Sequence, residues 1–217
     1  MMTSLFSTFD PTTKNLQMNW IIMMTPMILM PKWFWMKKSR LNMLLKMMEK
    51  KLTNEFKSMT HHKEILILSI SIFMFIMMSN MMGLFPYVFT STSHLSISIS
   101  IALPTWIMIT VHGWTNFTND MFKHLLPKGT PMMITPMMIL IETTGNIIRP
   151  ISLSVRLTAN MIAGHLLMTL LGNTCSTKSI MMILPIQIML TAFESAISII
   201  QAYVFATLIT LYSSEIP

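Results

Sequence analysis

The sequence predicts an all-α integral membrane protein: about five membrane-embedded helices plus one interfacial amphipathic helix, with the last two embedded helices forming a long tilted hairpin. Three observations carry that expectation. Of 217 residues 53% are hydrophobic and only 11% charged, with a mean hydropathy of +0.60, far from a soluble domain. Apolar runs recur that are long enough to cross a hydrocarbon core of about 30 Å, which takes about 20 residues as a helix. The alternation of a membrane β-barrel is confined to LSISISI, residues 95–101. A short strand is the alternative there; as a helix, its serines would bond back to their own carbonyls.

The first embedded region is expected over residues 16–36, interrupted by Pro26 and Pro31 and ended by an interfacial belt of Trp33, Phe34 and Trp35. Residues 37–59 follow as the amphipathic helix. Leu41, Leu44, Leu45, Met48, Leu52, Phe56 and Met59 fall on one face, and Lys37, Lys38, Arg40, Lys46, Lys50 and Lys57 fall largely elsewhere. That pattern suits a helix lying in the interface plane, with packing on a soluble partner as the alternative.

Crossings are expected at 65–89 and 95–111, joined by a loop without Lys or Arg. Nine of the 15 Lys and Arg lie between Lys32 and Lys63, and the next loop, residues 113–131, adds Lys123 and Lys128. The positive-inside rule therefore puts these two segments on one side and the N-terminus on the other. The net charge of +7 is thus a membrane-surface feature and not a nucleic-acid footprint. The last regions, 132–171 and 180–212, exceed a perpendicular crossing and must tilt or kink, with Pro136 and Pro150 as kink sites and Gly172, Asn173 and Thr174 as the turn.

Four charged residues sit inside these last regions: Glu142, Arg149, Arg156 and Glu194. A charge at the bilayer centre costs at least about 2.5 kcal/mol, so each is read as functional. Ser152, Arg156 and Asn160 step by four along one stripe, while His165, nine beyond Arg156, points to roughly the opposite side. Gln187, Thr191, Glu194, Ser198 and Gln201 form a second polar stripe, within which Thr191 and Ser198 are assigned to interhelical hydrogen bonds.

The weaker candidates carry less. His61 and His62 are read as solvated interface residues, and His94 and His112 as capping the fourth crossing. Cys175 is alone, which leaves no disulfide framework. No phosphate-cradling glycine loop occurs, no nucleophile and base stand in a recognisable arrangement, and no cofactor is expected. The N-terminal segment lacks Arg and carries Asp10, unlike a signal or transit peptide, and the 28 methionines suit a mitochondrial genome. Synthesis in the compartment of use is therefore expected.

IIRPISLSVRLTANMIAGHL, residues 147–166, resembles the signature of subunit a of rotary (F-type) ATP synthases, mitochondrial type. QAYV (201–204) with the preceding Glu194 is similar to that family's terminal-helix signature. NMMGLFPYVFT from Asn80, ALPTW from Ala102, and LLPKGTP from Leu125 with Glu142 downstream extend the match beyond about residue 80, and the N-terminal third matches in pattern only. The resemblance implies a proton-conducting stator subunit, non-catalytic on its own. Two half-channels would meet a rotating ring of small subunits, each bearing an essential carboxylate.

By the same resemblance Arg156 matches the family's invariant arginine, which favours the ionised carboxylate and bars a direct leak. His165 and Glu194 match the polar pair of the intermembrane-space half-channel, Glu142 the acid of the matrix side, and Asn160 and Gln201 the amides beside the arginine. His on the fifth helix with Glu on the sixth is the organellar arrangement. Implied partners are the ring, peripheral-stalk and other membrane subunits, protons and the bilayer. The implied location is the mitochondrial inner membrane with the N-terminus toward the intermembrane space. Two other readings compete: a secondary transporter, which should show internal repeats, and a structural membrane subunit in which Arg156 and Glu194 merely pair.

Overall fold

The computed structural model describes residues 5–12, 17–29, 39–60, 63–85, 88–126, 129, 131–174 and 180–215. Its helices are α1 (Thr25–Leu29), α2 (Arg40–Met59), α3 (Lys63–Gly83), α4 (Leu95–Asn116), α5 (Thr118–Leu125), α6 (Thr135–Thr174) and α7 (Ile180–Ser214), with 3-10 turns at Leu5–Phe9, Met18–Met24 and Ser91–Ser93. Among the described residues α3, α4, α6 and α7 are long and apolar enough to cross a membrane.

The region expected to be the first crossing is, in its described part, a 3-10 turn running into α1. At about 1.5 to 2.0 Å per residue, Met18 to Leu29 is too short to cross the core. Pro26 is the second residue of α1, where its missing N–H breaks no helical bond, and it is fully buried. Trp33, Phe34 and Trp35 lie outside the described residues, as do His61, His62 and Cys175.

The core forms between two antiparallel pairs. On α3, Ser69, Phe73, Ile76, Asn80 and Gly83 are buried at steps of four, three, four and three, a single face laid on α7. The opposing α7 face is Ser198, Ala202, Phe205, Ala206 and Ile209, also buried. The small residues on both sides permit the close approach by which membrane helices associate. On α6, Pro150, Leu153, Ser154, Leu157, Thr158 and Met161 are buried, and α6 makes its most extensive helix contact with α4.

The serines of residues 95–101 are helical. Ser98 Oγ donates to Leu95 O at 3.0 Å and Ser100 Oγ to Ile97 O at 2.7 Å, so the hydroxyls spend their donors locally. Pro136, expected to kink its helix, is the second residue of α6 and interrupts nothing. Pro150 lies inside α6, where it removes one ladder bond.

α2 departs from the expected free interfacial helix in one respect. Ser39 caps it, accepting from Asn42 N at 3.3 Å, and its C-terminal half docks on this chain's own bundle. Leu52 and Phe56 are buried, Phe56 stacks on Tyr203, and Tyr203 Oη donates to Glu55 at 3.3 Å. In its N-terminal half Leu44, Met47 and Met48 stay exposed. Half of the predicted apolar stripe thus packs on α3 and α7.

The 113–131 segment, expected to be a loop, contains α5. This helix carries Asp120 in its first turn and Lys123 and His124 in its last, which complements the helix dipole, and Lys123 pairs with Asp120 at 2.7 Å. Trp114 meets Phe122 edge to face at 5.1 Å and so anchors α5 to the end of α4. Beyond it, Gly129 adopts a φ of 99°, a left-handed conformation that glycine supplies without strain. Thr210 near the end of α7 lies against Met59 of α2, while Tyr212 and Glu215 share a groove with His124 and Leu125 of α5. The Lys-bearing α2 and α5 therefore stand at the same end of the bundle. The turn Leu5–Phe9 meets the segment before α4 and the C-terminal half of α6 at the other end.

Candidate functional site

At the end bearing the N-terminal turn, α3, the 88–94 segment, α6 and α7 converge on a buried polar region. Glu194 of α7 packs against the backbone of α6 where Gly164 stands. A β-carbon at Gly164 would lie 3.0 Å from the Glu194 carboxyl carbon and 3.1 Å from its Oε1. Glu194 is buried, its Oε1 has no hydrogen-bond partner among the described residues, and the same holds for Nε2 of His165, the residue after Gly164.

Asn80 of α3 is fully buried and Thr92 Oγ1 is also buried, and among the described residues neither the Asn80 amide atoms nor Thr92 Oγ1 has a hydrogen-bond partner. Ser198, one turn beyond Glu194, reaches Met81 Sδ at 3.3 Å, and Gly83 lies under Thr90 and Met161, which ties these residues into one region. A buried polar atom left unsatisfied costs about 1 to 3 kcal/mol, so several together mark a place that water or protons would stabilise.

The N-terminal turn closes over this region. The Phe9 ring meets His165 edge-on at 6.2 Å, and the Phe9 carbonyl accepts from His94 Nε2 at 3.0 Å. Because a carbonyl only accepts, His94 carries its proton on Nε2. Trp20 and Phe89 hold the His94 ring at 5.2 and 5.3 Å. His94 precedes α4 as expected, but its side chain makes no cap bond, and this long-range contact replaces one. His112 lies inside α4 with its ring 3.1 Å from the Asn116 amide, so it does not flank the crossing.

Arg156 stands differently. It is exposed, and among the described residues it has no hydrogen-bond or ion-pair partner. Its neighbours Leu153, Ser154, Leu157 and Thr158 face inward, which turns Arg156, Ser152 and Val155 to the outer wall of α6. Asn160 and Gln201 are half-buried. Arg156 and Glu194 form no ion pair, so the pairing of the structural-subunit reading is absent among the described residues. Arg156 and Gln201 both lie between two α6–α7 contacts: Gly164 with Glu194, and Arg149 with Glu215.

At the opposite end Arg149 joins two acids. Its Nη1 pairs closely with Glu215, the residue after α7, its Nη2 is 3.8 Å from Glu142 Oε1, and its guanidinium lies 4.9 Å from the Tyr212 ring centre. An open groove of about 560 Å³ begins here, lined by Trp106, Trp114, His124, Asn146, Arg149 and Glu215 among others. Glu215, just beyond the last apolar region, is the member that sequence reasoning missed. Its position two residues from the apolar boundary at 212–213 is the only signal for it.

The interhelical expectation for the second polar stripe holds for Ser198 and is corrected for Thr191. Thr191 Oγ1 donates to Ile188 O at 2.9 Å and Ser198 Oγ to Ser195 O at 2.8 Å, both within α7. Only Ser198 also reaches another helix, through the weak contact to Met81, because a hydroxyl on a helix has its own preceding carbonyl within reach.

The chain matches the family described as ATP synthase A chain over residues 16–214. It is 52% identical over 224 residues to ATP synthase subunit a of Locusta migratoria, 49% over 223 to that of Drosophila simulans, and 48% over 225 to that of Anopheles gambiae. Each comparison covers the whole of both chains. With the family's pattern spanning nearly all of its length and its relatives aligned end to end, the chain belongs to the ATP synthase A chain family.

Proposed function

We propose that this chain is the proton-conducting stator subunit of the ATP synthase membrane sector, forming two half-channels against a rotating ring of small subunits. One observation carries the reading: Arg156 faces outward with no partner among the described residues, between two polar regions at opposite ends of the bundle. A guanidinium so placed suits an anion brought by another subunit.

In this reading protons reach the ring through the region of Asn80, His165 and Glu194, whose unsatisfied atoms can relay them with water. A ring carboxylate leaving Arg156 takes up a proton there and turns away into the lipid. After nearly a full turn it returns, and the positive charge of Arg156 favours its ionised form, so its proton leaves toward Glu142. Asn160 and Gln201 flank the arginine and orient the carboxylate or its water. Each proton is worth about 2.3 kcal/mol per 100 mV, so Arg156 also has to prevent a direct path between the two regions.

The chain forms no ATP itself; a separate head does. Its partners are the ring, the peripheral stalk and neighbouring membrane subunits, protons and lipid. Its place is the mitochondrial inner membrane, with the N-terminus and the His165 region toward the intermembrane space and α2, α5 and Glu142 toward the matrix. The Lys-rich character of α2 and α5, at one end of the bundle, supports that orientation.

The experiment is proton flux in vesicles holding the intact complex. With Arg156→Ala, ATP-driven pumping should vanish while hydrolysis by the detached head persists. Pumping at the native rate would overturn the proposal.

A further inference from the structure

Two acids and one arginine meet at the α2/α5 end, and they are not equivalent. Arg149 gives its Nη1 to Glu215 in a close hydrogen bond, while its Nη2 stays 3.8 Å from Glu142 Oε1, beyond hydrogen-bond reach. Tyr212, three residues before Glu215 on the last turn of α7, lies against the guanidinium at 4.9 Å. Glu142 and Arg149 are seven apart on α6, two turns on one face, so nothing in the helix itself prevents a direct pair. The hold on Arg149 comes from α7.

We propose that Glu215 is a positioning residue for proton transfer at Glu142: it engages Arg149 so that the guanidinium does not close on Glu142. This inference rests on the reading of Glu142 as the matrix-side proton group. With Glu215 present the cluster has two carboxylates and one guanidinium. Arg149 can offset only one of the two acids, and its hydrogen bond goes to Glu215, so Glu142 keeps the longer contact at 3.8 Å and an oxygen free of the guanidinium's hydrogen bonds. All three side chains remain about one-third exposed, so water can reach the cluster and carry the proton on.

The test uses the assembled complex in vesicles at a fixed proton-motive force, with the rate of ATP synthesis as readout and native gels to confirm assembly. Glu215→Gln, which keeps the size and removes the charge, should slow synthesis severalfold. Adding Arg149→Gln to that variant should recover most of the lost rate, a rescue that a merely structural role would not give. A native rate in Glu215→Gln overturns the proposal, and so does a slow single variant that the second change fails to rescue. If Glu215→Gln lowers the amount of assembled complex, Glu215→Ser is read by the same two comparisons. Glu142→Gln is measured alongside. If it synthesises ATP at the native rate, the reading of Glu142 fails; if it is slow while Glu215→Gln is native, only the role of Glu215 fails.

Discussion

Gly164 of α6 and Glu194 of α7 are in close contact: a β-carbon at Gly164 would meet the carboxyl carbon at 3.0 Å, so the acid would have to give by a few tenths of an ångström. The neighbour that would have to yield is the acid itself, so backbone and carboxylate are held together by the absence of one carbon.

Gly164→Ala is therefore expected to displace Glu194, with an overpacking cost of about 1 to 3 kcal/mol. The complex should still assemble on native gels while ATP-driven proton pumping falls severalfold. Pumping at the native rate would show that Glu194 need not sit against α6.

Asn80 is fully buried with both amide atoms unbonded among the described residues. If it stabilises a water path, Asn80→Leu should leave assembly intact or improve it, since an apolar side chain removes the desolvation cost, yet reduce proton flux. Equal flux in the two proteins, measured by quenching of a pH-sensitive dye in vesicles, would assign Asn80 a purely structural place.

Arg156→Lys keeps the charge but loses the planar, five-donor guanidinium. Synthesis of ATP is expected to fall to background, as with Ala. A lysine variant retaining about half the native rate would mean that a point charge suffices.

Phe56 anchors α2 in the core at 0% exposure. Phe56→Ala is expected to cost about 3 to 5 kcal/mol and to lower the amount of assembled complex, read as a drop in its thermal midpoint. Met47→Ala, on the exposed half of the same helix, should change that midpoint little.

The N-terminal turn gives a further test. Since His94 Nε2 holds the Phe9 carbonyl, His94→Ala should release this segment from His165. A cysteine placed at Ser7, half-buried in that turn, should then react faster with a water-soluble thiol reagent. Unchanged labelling would mean that Trp20 and Phe89 hold the turn without His94.

The crossings were legible because the need to satisfy every backbone group in lipid makes a long apolar run a helix almost irrespective of detail. Among the described residues α3, α4, α6 and α7 are long and apolar enough to cross, and even the alternating serines of α4 follow the helical rule. α5 was not legible, because eight residues hold too few turns for a periodicity to emerge, and its anchor, Trp114 on Phe122, is tertiary. Among site residues, the charges inside α6 and α7 announced themselves by cost. Glu215 did not, since an acid at the end of an apolar run is ordinary until a folded partner such as Arg149 gives it work.

The outward turn of Arg156 has a consequence for how such a subunit is made. A newly inserted copy, alone in the bilayer, presents a bare guanidinium to hydrocarbon along the middle of α6, at a cost of at least about 2.5 kcal/mol that no group among the described residues offsets. Its resting conformation is in this sense borrowed from a neighbour. On the proposed function that neighbour is the anion-bearing ring, and biogenesis then has a preferred order, with the ring in place before this chain joins it and early copies cleared by membrane proteases.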